Sequence, residues 1–326
     1  MKKPPVIFLM GPTAAGKTDL AISLTEKIPV DVISVDSTMV YRELDIGSAK
    51  PTREELAKAP HQLVDIRDPS DPYSASEFCD DAMAAIQASH EKNRIPLLVG
   101  GTMMYFNVLL KGMAEMPSAD VEIRMEIEAI AKEEGWPALH EQLRKVDPET
   151  AASLHPNHSQ RISRALEVFK LTGKTMSQLR NEQHESPKSK HDSFLNRFSV
   201  GQFAVGPRNR AVLHDRIKKR FHTMIESGFE QEVIGLRSRG DLHADLPAVR
   251  AVGYRQMWEY LDGETSYEEM IEKGIAATRQ LAKRQLTWLR KWESLQWLYT
   301  EDESGREINL PDICNLTLNY LKQTTI

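Results

Sequence analysis

Cysteine is nearly missing from this sequence: among 326 residues only Cys79 and Cys314 occur, far apart in the chain. Two isolated thiols build neither a disulfide framework nor a cysteine-based metal site, and they fit a reducing cytoplasm. Long apolar runs are missing too; no stretch approaches the ~20 residues that span a bilayer. The first residues, MKKPP, run straight into VIFLM and leave no room for a signal peptide. Net positive charge is lacking. At −5, the chain does not coat nucleic acid by bulk electrostatics, although a local basic surface is allowed. Internal repeats and low-complexity tracts are absent. His155 and His158 in HPNH have no further ligands nearby, so they read as a loop pair rather than a metal site.

One local absence bears on chemistry. A phosphate-loop ATPase places an acid at the end of a later strand to organise its metal. Here the apolar run PLLVGG ends in Gly100, Gly101 and Thr102, with no carboxylate. The ATPase reading is weakened, while a small-molecule kinase of the phosphate-loop class stays open.

The length, with 40% hydrophobic residues, suits one large domain or two coupled ones. PVIFLM, a helix from Lys17 to about Ile28, the β-branched VDVISV and later IPLLVGG alternate strand and helix signals. That pattern predicts an α/β fold, a phosphate-loop NTPase-like parallel sheet core. From Ala119 to about Leu179 strand formers are few, which predicts a helical insertion. NEQHESPKSKHDSFLN at 181–196 reads as a polar mobile loop, and RFSVGQFAVG offers one more strand. Helices are expected from Asn209 to about Gly228 and from Tyr267 to about Trp297. The organisation read from this is a first part of the core at 1–115, the insertion at 116–196, and a return to the core with a long helical C-terminal part at 197–326.

Directly after VIFLM stands GPTAAGKT, the eight residues Gly11, Pro12, Thr13, Ala14, Ala15, Gly16, Lys17 and Thr18. Its glycine-to-lysine spacing matches a phosphate-binding loop. Glycines let backbone N–H groups turn to the ligand, and the helix start adds its positive end. Lys17 supplies a charge and Thr18 can hold Mg²⁺. The pattern speaks for a diphosphate and leaves open what carries it.

Past the second strand comes Asp36–Ser37, where an open parallel sheet places its ligand crevice. A base belongs there, although Asp-Ser after a strand also reads as a cap or turn. GGTMMYF at 100–106 suits close backbone approach to a ligand or simply a tight turn. Two basic runs follow. Arg208, Arg210, Arg216, Lys218, Lys219 and Arg220 face only Asp215, and Arg279, Lys283, Arg284, Arg290 and Lys291 face no acid at all. On a helical wheel Arg279, Lys283, Leu286 and Arg290 share one arc, with Leu281, Trp288 and Trp292 opposite. One face is then basic and the other anchors in the core. RNA is read by such pairings of phosphate contacts with packing side chains.

GPTAAGKT, DSTMVYRELDIGSAKP, GGTMMYF, QRISRALEVF with the following TGK, AVGYRQMWEYL and TRQLAKRQLTWLRKW, in that order, resemble the bacterial tRNA dimethylallyltransferases, also called tRNA isopentenyltransferases. The resemblance covers roughly residues 5–300. It implies transfer of a dimethylallyl group from its diphosphate to N6 of adenosine-37, beside the anticodon of tRNAs reading codons that begin with U. The loop Gly11 to Thr18 would hold pyrophosphate with Mg²⁺ at Thr18. Asp36 would be the base, Thr102 would orient base and donor, and Lys17 and Arg220 would bind the leaving pyrophosphate. Contacts with tRNA are implied at Asp36, Ser37, Thr38, Met39, Thr102 and Arg124. They are implied again at Gln160, Arg161, Ile162, Ser163 and Arg164, and at Arg250, Ala251, Val252, Gly253, Tyr254 and Arg255. The last segment is Lys283, Arg284, Gln285, Leu286, Thr287, Trp288, Leu289 and Arg290. Tyr254 is expected to stack at the anticodon loop, and the insertion to clasp the anticodon stem-loop. Many relatives carry glutamine where Met39 stands and threonine where Ser48 stands. The expected protein is a cytoplasmic monomer with tRNA and dimethylallyl diphosphate as partners and no membrane. An ATP-dependent small-molecule kinase, with Asp36 deprotonating a hydroxyl, is the competing enzyme, and the basic C-terminal helix is what such a kinase does not need. An RNA-binding module without catalysis is the third class.

Overall fold

The structure, a computed structural model, describes residues 3–112, 116–117, 120–185 and 193–323. The chain divides into two compact units, Met1–Leu110 with Leu195–Ile326, and Lys111–Phe194. Those divisions fall close to, not on, the boundaries read from composition.

The first unit is built on a six-stranded sheet of β1 (Pro5–Met10), β2 (Val30–Val35), β3 (His61–Gln62), β4 (Ile95–Gly100), β5 (Ser199–Gly206) and β6 (Gln296–Tyr299). All pairings are parallel, in the order β3-β2-β4-β1-β5-β6. Val6 to Met10 have no exposed surface, because helices cover both faces of a parallel sheet and VIFLM is apolar on both sides. Leu20, Ala21 and Leu24 of the helix Lys17–Thr25 and Ile313, Cys314 and Leu321 of the helix Leu310–Gln323 close one core over it. Since β4 lies between β1 and β2, the order reverses at β1, and the crevice past these strand ends is where an open sheet binds ligands.

Three segments differ from expectation. The first helix stops at Thr25, not Ile28; Pro29 drives Ile28 out of the helical region and into the approach to β2. The long C-terminal helix ends at Arg290, and Ser294 at φ 57° breaks the chain direction before Gln296–Tyr299 joins the sheet edge as β6. In the segment read as a loop, residues 181–185 finish the helix Met176–Glu185 and Phe194–Arg197 form another turn of helix, while residues 186–192 lie outside the described residues.

The second unit is helical, with Val121–Glu134, Trp136–Val146, Pro148–Ala152, Ser159–Thr172 and Met176–Glu185. Ile127, Leu139, Leu143, Ile162 and Leu166 fill its own core. Fully buried Glu167 ties it together, accepting from the Asp120 N–H at 2.8 Å, from Arg124 at 2.9 Å and from Arg164 at 2.7 Å. Burial alone would raise its carboxyl. The Arg164 hydrogen bond, the Asp120 N–H and Arg124 outweigh that and hold it below the ordinary value.

Candidate active site

After β1 the chain enters the phosphate loop, where Ala14 at φ 60° and Gly16 at φ 85° both take the left-handed conformation. Such turns make a concave run of N–H groups suited to anions. Gly16 caps the helix Lys17–Thr25 without any side-chain acceptor, so the first N–H groups of that helix remain for a ligand. Lys17 Nζ donates to the carbonyls of Gly11 at 3.1 Å and Pro12 at 2.7 Å, which folds it back over the loop.

Around this loop lies a cavity of about 690 Å³. Thr13 to Thr18 form its floor, with Asp36 past β2, Gly100 and Gly101 at the end of β4, and Arg216, Lys219 and Arg220 from the helix Arg210–Glu226. Apolar wall comes from Met39, Phe221, Met224, Phe229 and Leu281. Burial pushes the Lys17 ammonium down to about 8, nearby Arg220 pushes the same way, and Asp36 partly opposes both. Arg220 is likewise held below its ordinary value by burial, against the pull of Asp36. Two cations crowded in a poorly hydrated place are a site short of an anion.

Asp36 forms a turn and also borders the cavity. Its Oδ1 accepts the N–H groups of Thr38 at 2.8 Å and Met39 at 3.2 Å, a turn of its own making. Its other oxygen accepts no hydrogen bond among the described residues, and the residue lines the cavity. Thr102 Oγ1 accepts the Ser37 N–H at 3.1 Å, joining the ends of β4 and β2. Thr18 borders the cavity with its hydroxyl uncommitted among the described residues, while no group of three acidic, histidine or cysteine side chains gathers there. A Mg²⁺ fits such a place only if diphosphate oxygens and water complete its shell, which is its usual habit.

The helix Tyr267–Arg290 corrects the wheel drawn from sequence. Its buried side is Ile275, Ala282, Gln285, Leu286 and Leu289, whereas Trp288, expected in the core, is 44% exposed. Lys283, Arg284, Thr287, Trp288 and Arg290 together face solvent. Leu286 therefore belongs to the core and Trp288 to the basic face. Tyr254 is also displaced from its expected role. It is 1% exposed, its hydroxyl donates to Glu232 Oε1 at 2.6 Å and accepts the Ser48 N–H at 3.1 Å, and its ring meets Phe229 edge-on. No face is left for a base. Glu232 also accepts from the N–H groups of Asp45, Ile46 and Gly47, so it clamps the loop that follows Asp36. Nothing in the sequence marked Glu232 for this.

Of the other residues expected at RNA, Arg250 and Arg255 are exposed, with Arg255 donating to Glu259 at 2.8 Å. Ala251 and Val252 are half-buried and Gly253 is buried. In the helical unit Gln160 and Arg161 are exposed, Ser163 is half-buried and Ile162 is fully buried. Arg124 and Arg164 spend their guanidinium groups on Glu167. His155 accepts from the Asn157 N–H and His158 from the His155 N–H in one turn, as a loop pair would.

The IPP transferase family model matches residues 39–292. The chain belongs to the IPP transferase family. Solved structures agree along its length. It is 37% identical to the full-length tRNA isopentenylpyrophosphate transferase of Bacillus halodurans, covering 99% of this chain and 98% of that one with a TM-score of 0.68. It is 30% identical to the tRNA delta(2)-isopentenylpyrophosphate transferase of Staphylococcus epidermidis, with 98% and 99% covered and a TM-score of 0.69. A eukaryotic dimethylallyltransferase acting on tRNA shares 27% identity and a TM-score of 0.72 over 88% of this chain and 70% of its own. This IPP transferase is thus an α/β enzyme of the prenyltransferase class that modifies tRNA, and the kinase alternative finds no support. No helix among its described residues is long and apolar enough to cross a membrane.

Proposed function

We propose that this transferase moves a dimethylallyl group from dimethylallyl diphosphate to N6 of adenosine-37 in tRNAs reading codons that begin with U, and releases diphosphate. The observation that carries this is one cavity that joins a cation-lined phosphate loop to Asp36 and to apolar wall from Met39, Phe221 and Phe229. The allylic C–O bond breaks as charge collects on the diphosphate, in the cavity that Lys17, Arg220 and the phosphate loop line. The N6–carbon bond forms, and the proton leaving N6 goes to the free oxygen of Asp36. Thr102 holds Ser37, and with it the segment that begins at Asp36. Thr18 and diphosphate oxygens would hold Mg²⁺, which neutralises part of the leaving charge.

The exposed face of Lys283, Arg284, Trp288 and Arg290 is the surface we assign to the anticodon loop. The enzyme acts as a monomer in the cytoplasm. Incubation with unmodified tRNA and labelled dimethylallyl diphosphate, alongside a tube holding γ-labelled ATP, tests the whole reading. Label from the prenyl donor should reach RNA and depend on Mg²⁺, with ATP inert. Label passing from ATP to a small acceptor would overturn it.

A further inference from the structure

Gln285 is a polar residue on the buried side of the helix Tyr267–Arg290, 8% exposed between Ala282, Leu286 and Leu289. Its side-chain carbonyl accepts the Thr13 N–H at 2.9 Å, and its amide nitrogen donates to the Gly101 carbonyl at 2.9 Å. One side chain thereby joins the phosphate loop after β1 to Gly101, the residue that follows β4, and the next residue, Thr102, accepts the Ser37 N–H. A neutral amide suits this place because it offers an acceptor and a donor at once without burying a charge. Glycine at 101 is a condition of the bridge, since a Cβ there would come within 2.4 Å of the amide nitrogen. The Thr13 N–H is spent on this contact, which leaves anion binding to the N–H groups further along the loop.

Adjacent positions on the same turns, Lys283, Arg284, Thr287 and Trp288, are exposed. One stretch of helix thus meets solvent on one side and the donor cradle on the other. We propose that Gln285 is a positioning residue: it sets the spacing between the diphosphate cradle and the end of β4, and through it RNA on the exposed face and diphosphate in the loop strengthen each other's binding. The inference rests on the RNA reading of that face. RNA that steadies the helix also steadies the Thr13 peptide, so the loop has less order left to acquire when diphosphate arrives. The effect must be reciprocal.

The experiment titrates inorganic pyrophosphate into the full-length enzyme with Mg²⁺, with and without saturating anticodon stem-loop RNA. The wild type should bind pyrophosphate roughly 5- to 20-fold more tightly when RNA is present. In Gln285→Met, which keeps the volume and removes both hydrogen bonds, that enhancement should fall to about onefold while RNA affinity in the absence of pyrophosphate stays within about threefold. Gln285→Glu keeps the acceptor for Thr13 but cannot donate to Gly101 when ionised; it should lose the enhancement as well, and it decides the matter if the methionine variant does not fold. Full enhancement in either folded variant, or none in the wild type, overturns the proposal. Failure of the wild type to bind the RNA at all would overturn the RNA reading instead, and this inference with it.

Discussion

Two groups of cations in the same unit are assigned to phosphates, and they live in different media. Lys17 and Arg220 stand in the cavity, where burial holds both below their ordinary values. Lys283, Arg284 and Arg290 stand in water. Charges in a poorly hydrated site interact strongly over a few ångströms and are little screened, whereas exposed charges interact weakly and are screened within a Debye length of ~8 Å. Donor capture should therefore respond to pH and little to salt, and RNA capture should do the reverse. The difference is one of solvent, not of charge.

The largest effect sharpens the line between binding and chemistry. Asp36→Asn keeps an oxygen that can accept from Thr38 and Met39 and removes the base, so single-turnover transfer should fall by ~10²–10⁴ while RNA affinity stays within several-fold. A turnover near normal would reduce Asp36 to its turn. Next in size is Lys17→Met, which removes charge-assisted hydrogen bonds of about 1.5–3 kcal/mol and should weaken pyrophosphate binding roughly 10- to 150-fold. The same change should raise the melting temperature. Lys17 sits near 8 when folded against an ordinary 10.5, so the unfolded chain binds the proton more tightly and stability rises with pH between those values; below about 8 the full penalty is present, and methionine removes it. An unchanged or lower melting temperature at neutral pH would contradict the crowding described at the loop.

A smaller effect should appear on titration. Lys17 grips diphosphate through its charge, so pyrophosphate affinity should decline as pH rises above about 8, by up to about tenfold per pH unit. RNA affinity should hold over the same range, since the face that carries Lys283, Arg284 and Arg290 is exposed rather than buried. Parallel pH profiles for both ligands would erase the comparison. The smallest effect is in salt dependence. Lys283→Ala and Arg290→Ala should each flatten the log-affinity against log-salt slope by roughly 0.7 for single-stranded RNA. Trp288→Ala should lower affinity with no change of slope, because stacking releases no counterions.

Much of the core could be read from local pattern. VIFLM, VDVISV and IPLLVGG are short apolar runs that only a sheet covered on both faces can use, and GPTAAGKT names its own backbone geometry. β6 escaped because WESLQWLY continues the amphipathic rhythm of the helix before it; its pairing with Phe203 to Gly206 is a tertiary fact. The C-terminal helix was turned by one step for a similar reason. Tryptophan is usually an anchor, and glutamine is usually on the surface, yet here Gln285 finds two backbone partners inside and Trp288 is 44% exposed. Arg124 and Arg164 were expected at tRNA, and the fold pairs both with Glu167, distant in sequence from one of them. Tyr254 needed its partner Glu232 to be understood. Periodicity assigns a residue to a face, and only the fold says what that face touches.

The sheet order also governs when the protein can form during its synthesis. β1 pairs with β5 in the register Pro5 with Ser199, about 190 residues later, with the whole helical unit between β4 and β5. At ~5–20 residues per second on the ribosome, that interval lasts on the order of 10–40 seconds. For that time VIFLM has β4 on one edge at best, and its other edge is open to any strand that passes. The insertion can reach its own core of Leu139, Leu143 and Ile162 first, because its contacts are local. The most buried strand of the molecule is thus made first and completed late, and the interval before β5 arrives is when a growing chain most needs protection from its neighbours.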